Sequence, residues 1–159
     1  MKLLRRGQRV LDLGAFPGSW TLYAADKVGR EGRVLGVDLQ EHTGALPPNA
    51  RMLTADVSTV TAAELGTFDV VLSDMAPSTI GARDVDQWRS YQLFMRALEL
   101  AEQTLAPGGT FVGKIFQGGD FPAAKRAVQR SFAHVRIIKP EASRKESYEI
   151  FLLGLEFRG

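Results

Sequence analysis

Three segments of this chain end in an aspartate: Val37-Asp38, Ala55-Asp56 and Ser73-Asp74. Ahead of them, the apolar run Val10-Leu11-Asp12-Leu13 enters a small-residue turn, Gly14-Ala15-Phe16-Pro17-Gly18-Ser19-Trp20. Glycines let a backbone approach a ligand closely and adopt dihedrals that a Cβ penalises. A strand delivering such a turn to a helix N-terminus is the grammar of a nucleotide-like site. Asp38 has the spacing from Gly14 that suits an acceptor for ribose hydroxyls, and Asp56 suits the exocyclic amine of an adenine ring. Each aspartate alone reads equally well as the cap of a following helix. Together, after the glycine turn, they favour an adenosine-containing cofactor. The turn lacks the G-x-G-x-x-G spacing that pyrophosphate approach wants, and no G-x-x-x-x-G-K-[ST] phosphate cradle occurs. A phosphate-free cofactor with a compact charged tail fits better, which points to S-adenosylmethionine.

These residues need strands to carry them. Arg9–Leu13, Arg33–Val37, Arg51–Thr54, Phe68–Ser73, Thr110–Phe116, His134–Ile138 and Ser147–Phe157 read as strands from their apolar runs. Helices are expected over Ser19–Val28, where Trp20, Leu22, Tyr23 and Ala24 are apolar and Gly29 stops the helix. Further helices are expected briefly at Thr61–Leu65, over Val85–Leu105 with Pro107-Gly108-Gly109 ending it, and from Asp120 as cap to Phe132. Tyr91, Phe94, Leu98, Ala101 and Leu105 form the apolar stripe of the longest helix, and Tyr91 is read as core. Strands alternating with helices give an α/β fold of the Rossmann-like kind, a mostly parallel seven-stranded sheet with helices on both faces. The last two strands are joined by a loop too short for a crossover helix, so they pair antiparallel.

At 159 residues, 45% hydrophobic and 24% charged, the chain reads as one domain, 1–159. It has no cysteine, which excludes disulfides and thiolate metal sites and fits a reducing cytoplasm. No metal is expected. No segment reads as a signal peptide or membrane span. Residues 1–10 carry four bases and no acid, and residues 112–145 carry eight bases against Asp120 and Glu141. Folded onto one side, these stretches make a phosphate-attracting face; folded apart, they are solvated surface.

The ordered set Asp12-Leu13-Gly14-Ala15-Phe16-Pro17-Gly18-Ser19-Trp20, Val37-Asp38-Leu39, Ser73-Asp74-Met75-Ala76-Pro77, Leu105-Ala106-Pro107-Gly108-Gly109, Lys114-Ile115-Phe116-Gln117-Gly118, Ser143-Arg144 and Ser147-Tyr148-Glu149 resembles the RrmJ/FtsJ family of S-adenosylmethionine-dependent RNA 2′-O-ribose methyltransferases. The resemblance implies methyl transfer to a ribose hydroxyl of RNA, a uridine of large-subunit (23S) ribosomal RNA in particular. It implies that Gly14, Phe16, Pro17, Gly18, Trp20, Asp38, Leu39, Asp56 and Asp74 contact the cofactor. Asp74, Lys114 and Glu149 match three members of the family's Lys-Asp-Lys-Glu catalytic set. The fourth, a lysine, belongs to a segment ahead of the first strand, which this sequence does not match; Lys2 lies too close to that strand. A second reading is therefore an impaired cofactor- or RNA-binding homologue, and a third is a methyltransferase for a small molecule or protein on the same fold.

Methyl transfer from a sulfonium is an in-line displacement in which positioning dominates. Lys114 either takes the hydroxyl proton, if its surroundings lower its pKa, or steers the hydroxyl as a cation. Asp74 orients Lys114, and Glu149 completes the cluster. Arg5, Arg6, Arg136, Lys139, Arg144 and Lys145 are the candidates for phosphate contacts with RNA. The partner expected is ribosomal RNA or the large ribosomal subunit, met by a cytoplasmic monomer.

Overall fold

The structure is a computed structural model that describes residues 2–140 and 149–159. Its elements run β1 (Arg9–Leu13), α1 (Ser19–Val28), β2 (Arg33–Asp38), β3 (Ala50–Thr54), α2 (Ala62–Leu65), β4 (Phe68–Ser73), α3 (Arg83–Thr104), β5 (Leu105–Phe116), α4 (Phe121–Ser131), β6 (Phe132–Ile138) and β7 (Glu149–Phe157). One seven-stranded sheet has the order β3-β2-β1-β4-β5-β7-β6. The first five are parallel neighbours, and β7 runs antiparallel between β5 and β6.

The inner strands are buried on both faces, and their side chains alternate between two cores as a pleated strand requires, while the edge strands β3 and β6 are largely open to solvent. Leu11, Leu13 and Val71 join Phe94, Leu98 and Ala101 of α3 and Ala127 and Val128 of α4 on one face. Val10, Val70, Leu72, Val112 and Leu153 join Ala24, Ala25 and Val28 of α1 on the other. Phe94, Phe111, Phe132 and Phe157 form a chain of ring contacts through the first core. The chain winds β1 to β3 one way and β4 to β5 the other. The reversal lies between β1 and β4, where open α/β sheets bind ligands at the carboxyl ends of their strands.

Four local expectations change. Helix α1 buries Thr21, Ala24, Ala25 and Val28 and leaves Leu22 and Tyr23 exposed; the 21-24-25-28 spacing is the true stripe, and its small residues let the helix lie close to the sheet. Strand β5 begins at Leu105 rather than Thr110. Leu105 pairs with Phe68, residues 106–109 bulge, and pairing resumes at Val70 with Thr110. Strand β6 begins at Phe132, which is buried against Phe157 instead of ending α4. Asp120 occupies the cap position of α4, but its side chain makes no capping bond, and a proline in the first turn starts the helix instead. The small helix α2 carries a full capping box between Thr61 and Glu64.

Candidate active site

The glycine turn is fixed by the strands beside it. Gly14 adopts φ +75, and a Cβ there would run into the Met75 side chain. The backbone N–H groups of Gly14 and Ala15 donate to Val37 O at 2.8 and 3.1 Å, which laces the turn to β2. Gly18, at φ +118, is the N-cap of α1 and supplies no side chain to its open N–H groups.

The strand-end carboxylates gather above this turn. Asp38 accepts from Phe16 N at 3.0 Å through Oδ2 and from Gln40 N at 2.9 Å through Oδ1. Each oxygen retains a second lone pair for a ligand hydroxyl. Asp56 closes a turn through Oδ1, which accepts from Ser58 Oγ at 2.7 Å and Ser58 N at 2.8 Å. Those bonds hold its pKa below the ordinary carboxylate value, so it is an anion. Gly14, Phe16, Asp38, Leu39, Asp56, Asp74, Met75, Ala76 and Pro77 line one cavity of about 630 Å3, closed on its other side by Arg89, Gln92, Leu93 and Arg96 of α3. The volume is that of a site for a drug-sized ligand, and three carboxylates suit one bearing hydroxyls, an amine and a cationic centre.

Beside the cavity stands Lys114. Its Nζ lies 2.8 Å from Asp74 Oδ1 and 3.8 Å from Glu149 Oε2. Topology makes the meeting possible. Strand β5 is central, so it can bring a lysine beside the end of β4. Antiparallel β7 enters the sheet at this edge, so its first residue, Glu149, pairs with Phe116. The Lys114 side chain is only 14% exposed, and its contacts are those of an ammonium between carboxylates.

Beneath the turn, Asp12 is fully buried. Thr21 Oγ1 donates to its Oδ2 at 2.7 Å, while its Oδ1 has no hydrogen-bond partner among the described residues. Burial pushes its pKa up from the ordinary 3.8 to about 7; the Thr21 bond opposes the rise, and the charges of Asp74 and Asp38 add to it.

Pro17, Gly18 and Trp20 do not line the carboxylate cavity. The Phe16–Pro17 peptide is cis. Trp20 packs on Phe151 with ring centroids 5.5 Å apart and lines a separate space of about 800 Å3 with Lys2, Leu3, Leu4, Tyr23, Lys27, Leu72 and Val112. That space has no carboxylate in its lining and does not suit a cationic ligand. The basic candidates divide. Lys139 follows β6, whose end is in register with Phe151 and, across β7, with Lys114. Arg5 and Arg136 line a groove with Asp69, Pro107 and Gly108, and Arg6 lies by Gly29 at the far end of α1. Residues 2–8 enter β1 at its amino end, so Arg5 and Arg6 lie toward the edge opposite Lys114; among the described residues the two basic stretches meet only where Lys2 and Arg5 share that groove with Arg136. Arg144 and Lys145, with Ser143, Ser147 and Tyr148, lie outside the described residues.

Sequence reasoning missed the α3 wall. Its signal was the 89-92-93-96 spacing, a helix flank beside the apolar stripe. Arg96 there donates to Val57 O at 2.9 Å and Val60 O at 2.7 Å, which ties the Asp56 loop to α3.

Comparison with known proteins adds to this geometry. A family model for FtsJ-like methyltransferases matches residues 1–157. A ribosomal RNA large subunit methyltransferase E of Sorangium cellulosum is 52% identical over 159 residues, covering 98% of this chain and 75% of that protein. The protein of that name from Syntrophobacter fumaroxidans is 49% identical, covering 99% and 82%. Among solved structures, a ribosomal RNA methyltransferase from Plasmodium falciparum superposes with TM-score 0.83 at 23% identity, covering 98% of this chain and 89% of that one. Human methyltransferase-like protein 13 in complex with SAH superposes with TM-score 0.68 at 15% identity, covering 97% and 77%. At those identities the superpositions speak for the fold.

Proposed function

The chain belongs to the FtsJ-like methyltransferase family, and from that premise we propose that it transfers a methyl group from S-adenosylmethionine to a ribose 2′-hydroxyl of large-subunit (23S) ribosomal RNA, at a uridine. The observation that carries the reading is the Lys114–Asp74 contact of 2.8 Å beside a three-carboxylate cavity, in a chain 52% identical to a ribosomal RNA large subunit methyltransferase E.

The cavity fits the cofactor by its donor set. Asp38 would take the ribose hydroxyls, Asp56 the adenine amine, and Asp74 the neighbourhood of the cationic centre. Gly14 and Leu39 would give close backbone and apolar contact, with Phe16 closing over; Pro17 and Gly18 would act through the shape of the turn, and Trp20 stands outside this cavity. When bound, S-adenosylmethionine supplies an electrophilic methyl group on a sulfonium. The chain's own work is positioning. Asp74 and Glu149 hold Lys114 Nζ in place, and the ammonium steers the 2′-hydroxyl and steadies negative charge developing on its oxygen; as the O–CH3 bond would form and the S–CH3 bond break, the hydroxyl proton would leave to solvent water. Lys139, at the end of β6, would meet phosphates beside Lys114, and Arg144 and Lys145 remain candidates from the sequence; Arg136 and Arg5, which share one groove, and Arg6 would act only on RNA that extends past the opposite edge.

We take residues 1–159 as one methyltransferase domain acting as a monomer in the cytoplasm, where an enzyme on ribosomal RNA meets its substrate. Among the described residues no helix is long and apolar enough to cross a membrane. The test is label transfer from S-adenosylmethionine to large ribosomal subunits that lack the modification. Wild type is expected to incorporate label, and Lys114→Ala to lose it by about 100-fold or more while binding the cofactor normally, the scale of a positioned catalytic group. Equal incorporation by Lys114→Ala would defeat the assignment of the lysine.

A further inference from the structure

We propose that Trp88 grips the RNA substrate by stacking one of its unpaired bases, near the nucleotide being methylated; the inference rests on the RNA-methylating reading above. Trp88 is 48% exposed, unusual for the largest side chain. It does not stand alone. Its ring is stacked on Tyr91, with centroids 5.5 Å apart and planes inclined by 28°. Tyr91 is itself partly buried against the core of α3 and the sheet. The indole is thus backed by an anchored ring and presents its remaining surface to solvent.

Position makes this a substrate contact and not a stray aromatic. The first turns of α3 are bonded to both loops that flank Lys114 and Asp74. Ser90 Oγ accepts from Phe116 N at 2.9 Å, and Gln87 Nε2 donates to Gln117 O at 2.8 Å. Arg89 donates to Ser78 O at 3.1 Å, and Asp86 Oδ1 accepts from Ile80 N at 3.0 Å. Phe116 and Gln117 follow Lys114 within three residues, and Ser78 follows Asp74 by four. The indole is therefore held in register with the reacting groups from two sides.

A polymer presenting one ribose at Lys114 must lay its neighbouring nucleotides over this carboxyl edge of the sheet. Single-stranded RNA is held by aromatic stacking that tolerates any base, because every base has a π-face. Exposed Ile80 and Val85 extend the apolar rim. Arg83 and Arg89 on the same turns are balanced by Asp84 and Asp86, so the patch carries no net charge and its grip on RNA rests on the stacked ring.

The experiment uses Trp88→Ala and Trp88→Phe in the full chain. For large ribosomal subunits lacking the modification, Trp88→Ala is expected to raise KM about tenfold, within the range for loss of one stacked base. Its kcat and its affinity for S-adenosylmethionine should be unchanged, and Trp88→Phe should restore KM to within about threefold of wild type. A single-stranded RNA oligonucleotide should quench wild-type tryptophan emission and leave that of Trp88→Phe, whose remaining indole is Trp20, unaltered. A wild-type KM in Trp88→Ala, or quenching that persists in Trp88→Phe, overturns the stacking proposal while methyl transfer by wild type leaves the underlying reading intact. Wild type that neither methylates ribosomal RNA nor binds the oligonucleotide overturns both.

Discussion

Asp12 should make the protein less stable as pH rises, the reverse of an ordinary ion-paired carboxylate. Its folded pKa is about 7 against 3.8 for the exposed group, so between those values the native state holds a proton that the unfolded chain has released. Stability then falls with rising pH by about 1.4 kcal/mol per pH unit. It levels off above about pH 7, where both states are ionised, and is undiminished below 3.8, where both are protonated. From pH 5 to pH 7 the loss is about 2.3 kcal/mol, large against a total stability of roughly 5–15 kcal/mol. Asp12→Asn keeps the acceptor for Thr21 and removes the titration. Its amide N–H groups face the side where Oδ1 lacks a partner, which costs a pH-independent 1–3 kcal/mol or so. Urea unfolding of both proteins at half-unit steps from pH 5 to pH 8.5 reads the difference directly. The reasoning requires the gap between them to shift towards the variant by about 2–3 kcal/mol and to flatten near neutrality. Parallel curves would refute it, and would mean that Asp12 is ionised throughout and that Oδ1 has found a compensating donor.

Asp38→Ala removes an acceptor on the cavity and the partner of Phe16 N and Gln40 N, so calorimetry should show S-adenosylmethionine affinity falling by ~10-fold or more, the cost of a lost charged hydrogen bond. Gly14→Ala forces a side chain into φ +75 and against Met75; it should lower stability by about 1–3 kcal/mol in urea unfolding and weaken the cofactor as well. Arg96→Ala frees Val57 and Val60 carbonyls from α3. A loss of about 1–2 kcal/mol, with faster amide exchange at residues 57–60, is the expected result.

Much of this was legible in the sequence because parallel strands advertise themselves. Runs such as Val34–Val37 and Val70–Leu72 are apolar on both faces, and their terminal aspartates follow from the rule that ligands sit at carboxyl ends. The pairing of the last two strands followed from loop length alone. What escaped depended on three-dimensional neighbours. That β7 slots between β5 and β6, and so carries Glu149 to Lys114, is a fact of sheet order that no local pattern records. The basic count of residues 1–10 said nothing of which edge those bases would occupy. Asp12 sits inside the apolar run of β1, and its register beside Leu72 and Gly36 buries it completely. Trp88 sat in the sequence as a large apolar residue two places from the buried Asp86, and only the helix phase shows it facing outward.

The central claim is that the methyl group goes to a ribose hydroxyl of ribosomal RNA, and the position of the label decides it. Large-subunit RNA labelled from tritiated S-adenosylmethionine would be hydrolysed in alkali, which needs a free 2′-hydroxyl to cleave the chain. The account predicts that the label survives in an alkali-resistant dinucleotide whose 5′ member is a uridine. Label recovered in mononucleotides would place the methyl group on a base and contradict it.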